Sequence, residues 1–222
     1  MSDILDALKE KYSEEIGLSF TLFEVLSFLI YLMAVYTVMS ASDSGVWGSI
    51  LYKSVGDLLL SDGAVMAKVR VVDFLCAGAL TLLTTAAYRK ISGIVYRYLA
   101  TLKNMEDYVE RIKGRYHVDA MGGAAMRIYI ANVANEQKHE HMKRITLANG
   151  VGLISLVLVI SSVLGLANPN VADFAIFGSG ILLLCLMQWA VFTKYTAQVI
   201  PRLVLERLAR NENVEFGDEL EQ

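Results

Sequence analysis

Apolar positions in this chain collect into four long stretches almost free of charge, at residues 18–41, 71–88, 147–167 and 171–193. Each is long enough to cross the ~30 Å hydrocarbon layer of a bilayer, which takes about 20 helical residues. Within residues 25–41 and 174–193 nearly every position is apolar, whereas a lipid-facing barrel strand would alternate apolar and polar over about ten residues. The pattern therefore predicts helices. The stretches are grouped two and two around a 58-residue polar insert, residues 89–146. The expected fold class is all-α: a polytopic membrane protein with four transmembrane helices and a cytoplasmic helical hairpin between spans two and three.

Past Tyr88 the uniform apolar run gives way to a periodic one. Ile91, Val95, Tyr98, Leu102, Met105, Val109 and Ile112 alternate in steps of four and three, the spacing of a heptad seam. The second span is thus expected to continue as a helix beyond the membrane and to present this stripe to another helix, either the return arm or a second subunit. Gly114 and Gly122-Gly123 offer places for the chain to turn back. On the return arm, residues 124–145, Ile128, Ala131, Asn135, Met142 and Ile145 share a face that Asn135 and Lys138 interrupt. Arms of about 22 residues would reach ~33 Å.

The remaining segments read more simply. Residues 1–17 carry Ile4, Leu5, Leu8 and Tyr12 at helical spacing between acids, a short amphipathic helix whose charge suits the basic insert better than anionic lipid. Residues 42–70 form an outer loop with a surface helix expected across 46–60, because Trp47 and Tyr52 favour headgroup depth. Residues 194–222 are helical through Pro201 and Leu208, then acidic with few apolar anchors.

Charge sets the expected orientation. The whole chain holds 20 Lys and Arg against 23 Asp and Glu, yet the insert alone has eleven basic side chains against six acidic ones. Short basic loops stay in the cytoplasm, so the insert and both termini are placed there. Residues 42–70 and the Asn168-Pro169-Asn170 link are placed outside. The run Ser40-Ala41-Ser42 resembles a signal-peptidase site, but the acidic leader and the long apolar run favour a retained anchor. A composition of 55% apolar and 19% charged residues agrees with bilayer burial, since 222 residues could not cover four such helices with polar ones.

Candidate chemistry is sparse. Glu136-x-x-His139 has the spacing of a di-iron half-site but lacks its second copy, and His139 and His141 point apart on a helix. No phosphate loop, nucleophile elbow, zinc-protease motif or dinucleotide fingerprint occurs, so no enzyme activity, metal or cofactor is expected. The insert's charges are spread around its helices, which argues against nucleic acid as a partner. Cys76 and Cys185 lie singly in spans as small packing residues. Asp73 and Asp173 open spans two and four, where helix N-termini stabilise carboxylates. Glu24, one turn inside span one, is the candidate intramembrane acid, expected to pair with Lys194 or Arg202 or to line an ion path between subunits. Ala77, Thr81, Thr85, Ser161, Gly165, Gly178 and Gly180 permit close helix approach, within the bundle or in a dimer or ring. No repeat relating the two halves stands out.

Two function classes follow: a non-enzymatic protein that engages another membrane protein through its hairpin and outer loop, or an oligomeric pore. A full-length polar stripe is missing from every span, so interaction leads. The chain's length, its acidic opening Met1-Ser2-Asp3-Ile4-Leu5-Asp6-Ala7-Leu8-Lys9, the lack of a catalytic motif and the spans around a cytoplasmic insert resemble the entry-exclusion proteins of conjugative plasmids. The resemblance is one of layout, shared with four-span effectors of phage defence. It implies a bacterial inner-membrane protein that stops redundant plasmid entry by engaging the incoming transfer machinery, and assigns no residue a role.

Overall fold

The computed structural model describes residues 21–40, 45–51, 68–116, 123–165 and 169–210. All the elements among them are helical: α1 (Thr21–Met39), α2 (Val46–Leu51), α3 (Val71–Leu102), α4 (Met105–Arg115), α5 (Ala124–Leu164), α6 (Val171–Lys194), a π turn (Tyr195–Val199) and α7 (Ile200–Ala209). Four stretches, in α1, α3, α5 and the run Val171–Ala209, are long and apolar enough to cross a membrane. The all-α architecture with four such helices is therefore present. The amphipathic helix expected at residues 1–17, the later part of the helix expected across 46–60, Gly122 and the acidic tail beyond Arg210 lie outside the described residues.

The chain divides into two compact units, one of Phe20–Arg89 with Gly150–Met187, the other of Lys90–Asn149 with the chain from Gln188. The first unit holds α1, α2 and the more apolar lengths of α3, α5 and α6. In α5, 56% of the most apolar window is buried, against 17% in the run from Val171, so α5 is the central helix of this unit and α6 a peripheral one. Tyr31 and Leu32 of α1, Ala77 of α3 and Val157 of α5 form a core cluster. In lipid, association depends on close approach and polar satisfaction more than on exclusion of water. Thr81 and Ser155 turn their hydroxyls back to the carbonyls of Ala77 and Val151, both at 2.8 Å. Tyr31 and Thr84 share a hydrogen bond of 2.6 Å between α1 and α3.

Glycine marks one tight contact between α5 and α6. A Cβ on Gly180 would stand 2.9 Å from a Val159 methyl and 3.2 Å from the Ser155 carbonyl oxygen, whereas a Cβ on Gly178 would meet nothing within 4 Å. Backbone cannot yield as a side-chain end can. Gly180→Ala is expected to lower thermal stability in detergent, while Gly178→Ala leaves it unchanged or raises it by up to about 1 kcal/mol through helix propensity. Equal melting curves for the two variants would contradict the close packing.

The segment between α1 and α3 departs from expectation. Val46, Trp47 and Gly48 of α2 are buried, packed with Ala34 and flanked by Ile30, Leu158 and Ile176. The helix expected on the surface across residues 46–60 thus begins inside the bundle. Asp173 explains this seat: its Oδ1 accepts the Trp47 N–H at 2.9 Å, and its Oδ2 accepts the Asn170 N–H at 2.9 Å. Asp73 makes the second kind of contact, accepting the Arg70 N–H at 2.9 Å. In both helices the carboxylate at the third position reaches back to the N-cap amide, one half of a capping box.

Those equal roles expose a short repeat that the sequence reading passed over. Val71-Val72-Asp73-Phe74 and Val171-Ala172-Asp173-Phe174 open the two helices, followed in step by Gly78 and Gly178 and by Leu82-Leu83 and Leu182-Leu183. The structural reason for the two acids is capping in each case.

Candidate functional site

The second unit contains the candidate interaction stripe. Helix α3 does continue past Arg89, to Leu102, but the stripe is not a single seam. The helix stops at Lys103 and Asn104, where Asn104 takes a left-handed conformation with φ 45 and ψ 60, a region that asparagine tolerates better than most residues. Beyond the break, Met105, Val109 and Ile112 are buried, and α4 packs on α7, whose Ile200, Leu203 and Val204 are buried as well.

Before the break the packing face is turned away from the predicted stripe. Ser92, Tyr96 and Ala100 point inward, and Val95 is half-buried. Tyr96 meets Phe192 and Tyr195 edge-on, with ring centroids 5.6 and 5.7 Å away, and the Ser92 hydroxyl donates to Gln188 Oε1 at 3.2 Å. This aromatic and polar set takes the inner face that the aliphatic periodicity assigned to Ile91, Tyr98 and Leu102. Those three are exposed instead, and with Ile94 they line one side of α3 at spacings of three and four; Ile94, Tyr98 and Leu102 are 67%, 65% and 63% exposed. Lys103 at the break lies over the Trp189 and Phe192 rings, 5.2 and 5.4 Å from their centroids.

Opposite α4, the helix from Val171 does not end at Thr193 but runs on through the π turn into α7. Pro201 accounts for the wide turn. The Ile200 N–H bonds to the Tyr195 carbonyl, a five-residue step, and the next donor in that ladder would be Pro201, which has no N–H. The Tyr108 hydroxyl of α4 donates to the Thr196 carbonyl at 3.3 Å in its place. Arg202 donates to the Gln198 carbonyl and, through Nε, to Gln137 Oε1 at 3.1 Å.

Helix α5 corrects the reading of the return arm. Its buried positions are Ala131, Ala134, Lys138, Met142 and Ile145, with Ile128 outside. Lys138 does not interrupt this face; it is part of it. Its Nζ stands 2.8 Å from Glu206 Oε2, each side chain 10% exposed, and Arg210 reaches the other carboxylate oxygen at 2.9 Å. A buried ammonium requires such a partner. The sequence signal was available: a lysine at an interior position of an apolar stripe calls for an acid, and Glu206 stands amid apolar residues of α7. One turn on, burial and the Arg202 guanidinium hold His141 below the usual histidine range.

The candidate intramembrane acid has a partner that was not foreseen. Glu24 Oε1 lies 3.8 Å from Arg89 Nη2, where Lys194 or Arg202 was expected, with both side chains partly exposed. Such a pair contributes up to about 1 kcal/mol. Glu136 and His139 are exposed, and among the described residues no three of His, Cys, Asp and Glu are grouped closely enough to hold a metal ion. Cys76 is half-buried and Cys185 exposed, both as free thiols. No family model, curated protein or solved structure matches the chain.

Proposed function

We propose that this chain is a non-enzymatic, multi-pass protein of a bacterial inner membrane whose second unit recognises another membrane protein on the cytoplasmic side. The observation that carries this reading is the apolar face of Ile91, Ile94, Tyr98 and Leu102, which stays open on the α3 extension while its neighbours Ser92, Tyr96 and Ala100 are packed away. Clustered exposed apolar side chains outside a core favour protein contact, with aromatic residues as anchors. The basic balance of residues 89–146 supports the cytoplasmic placement of this face and of both termini. The ionisable groups that an ion path or a reaction would call on have structural uses: Glu24 faces Arg89, Asp73 and Asp173 cap helices, and Lys138 meets Glu206.

The process we propose is entry exclusion, on the strength of the layout shared with that family: the face would engage the incoming transfer machinery and stop redundant plasmid uptake. Recipient cells that express the chain are expected to take up a matched conjugative plasmid far less often than cells without it. Tyr98→Asp with Leu102→Asp should restore uptake while the protein accumulates normally in the membrane. Equal uptake with and without the chain would refute exclusion, and full blocking by the double variant would refute this face as the contact.

A further inference from the structure

We propose that a groove between the start of α5 and the end of α7 is the docking site of this chain's own acidic C-terminal segment. The groove holds about 300 Å³ and is lined by Arg127, Ile128, Ala131, Asn132, Ala209 and Arg210, among others. Its floor is apolar, since Ala131 and Ala209 form a buried pair backed by Ile130, Leu205 and Leu208. Its rim is cationic. Arg210 is held in place by Glu206 at 2.9 Å, while the Arg127 guanidinium makes no hydrogen bond or ion pair with any described residue. Among the described residues no acid lines the groove, so a carboxylate brought to Arg127 would meet an uncompensated positive charge.

Twelve residues follow Arg210, and they have the matching chemistry. They carry five carboxylates, at Glu212, Glu215, Asp218, Glu219 and Glu221, with no Lys or Arg, and three large apolar side chains at Val214, Phe216 and Leu220. Phe216 matches the apolar floor in character, and Glu212 and Glu215 on either side of Val214 match Arg127 in charge. The segment leaves from Arg210, itself a wall of the groove, so docking is intramolecular at high effective concentration. Six residues of extended chain, ~20 Å, let Phe216 turn back onto Ile128. The acidic stretch at residues 1–17 has the same charge sign but joins the described structure at α1, away from the groove in the chain. This docking is independent of the exclusion reading, because it concerns α5 and α7 and not the open face of α3.

Crosslinking in the full-length protein tests it. In a Cys76→Ser, Cys185→Ser background, Ile128→Cys with Phe216→Cys is expected to form an intramolecular disulfide whose rate does not change on dilution. Leu102→Cys with Phe216→Cys, in which Leu102 stands on an exposed face outside the groove, should link far more slowly. Arg127→Glu should slow the first linkage about tenfold, the size expected of one charge-assisted contact, and Glu212→Lys with Glu215→Lys in the same chain should restore it. Amide exchange of residues 124–132 supplies a readout without cysteines, since a chain ending at Arg210 should lose protection there. Equal linkage rates for the two cysteine pairs, or unchanged exchange without the tail, would overturn the proposal. Linkage between two chains would assign the groove to a second copy, and preferential linkage of Leu8→Cys would assign it to the N-terminal segment; either result overturns docking of the tail in cis.

Discussion

Glu206→Leu is expected to cost about 3–5 kcal/mol in the stability of the unit that contains it, the largest loss foreseen for any single substitution here. The cause is what remains. Lys138 sits on the buried face of α5 between Ala134 and Met142, with its ammonium 2.8 Å from Glu206 and little access to water. Without the carboxylate that charge has no counterpart at this site, and Arg210 loses its 2.9 Å contact as well. The pair itself is not the source of the unit's stability, because desolvating both ions offsets most of their attraction. Lys138→Met combined with Glu206→Leu should therefore recover most of the loss. The chain has two tryptophans, and Trp189 lies in this unit, so denaturant titration followed by its fluorescence in a Trp47→Phe background reads the effect directly. A double variant as unstable as Glu206→Leu alone would show that shape, not charge, governs the site.

The second large effect is expected at Asp173. Asp173→Ala removes the acceptor for two backbone amides, those of Asn170 and Trp47, and a hydrogen bond to a charged group contributes about 1.5–3 kcal/mol. A loss of about 3 kcal/mol follows if both donors are left unsatisfied in this buried corner. Asp73→Ala, in the matching position of α3, removes the acceptor for Arg70 N–H and should cost about half as much. The variants also differ in kind. Only Asp173 ties down α2, so only its loss should release Trp47 from its buried seat and shift that residue's emission to the red. Equal destabilisation by the two variants, with Trp47 unmoved in both, would mean that α2 is held by packing alone.

Elements decided by one local property were legible in the sequence. An apolar run of about 20 residues has few alternatives to a helix, because every backbone polar group in hydrocarbon must be satisfied within the segment. The continuation of α3 to Leu102 was readable for a related reason, as periodic apolar positions persist past Arg89. The phase of that periodicity was not readable. Hydropathy ranks Ile91 and Leu102 above Ser92 and Tyr96, yet the latter face the interior because Phe192, Tyr195 and Gln188 supply ring edges and an amide there. Asn104 cut the stripe in two for a reason no heptad count registers, a left-handed backbone at a single residue.

Helix class, the number and length of the apolar helices and the positive balance of residues 89–146 follow from composition and short-range order, since the length of a bilayer crossing and the sign of a loop do not depend on neighbours in space. Partnership is a different matter. That Glu24 meets Arg89, that Lys138 meets Glu206 across 68 positions, that Asp173 holds Trp47 from 126 positions away and that Tyr108 relieves the carbonyl orphaned by Pro201 emerged only once the helices were packed. Each depends on a few ångströms between distant segments, where the cost of an unpaired buried polar group, and not the apolar pattern, selects which side chains meet.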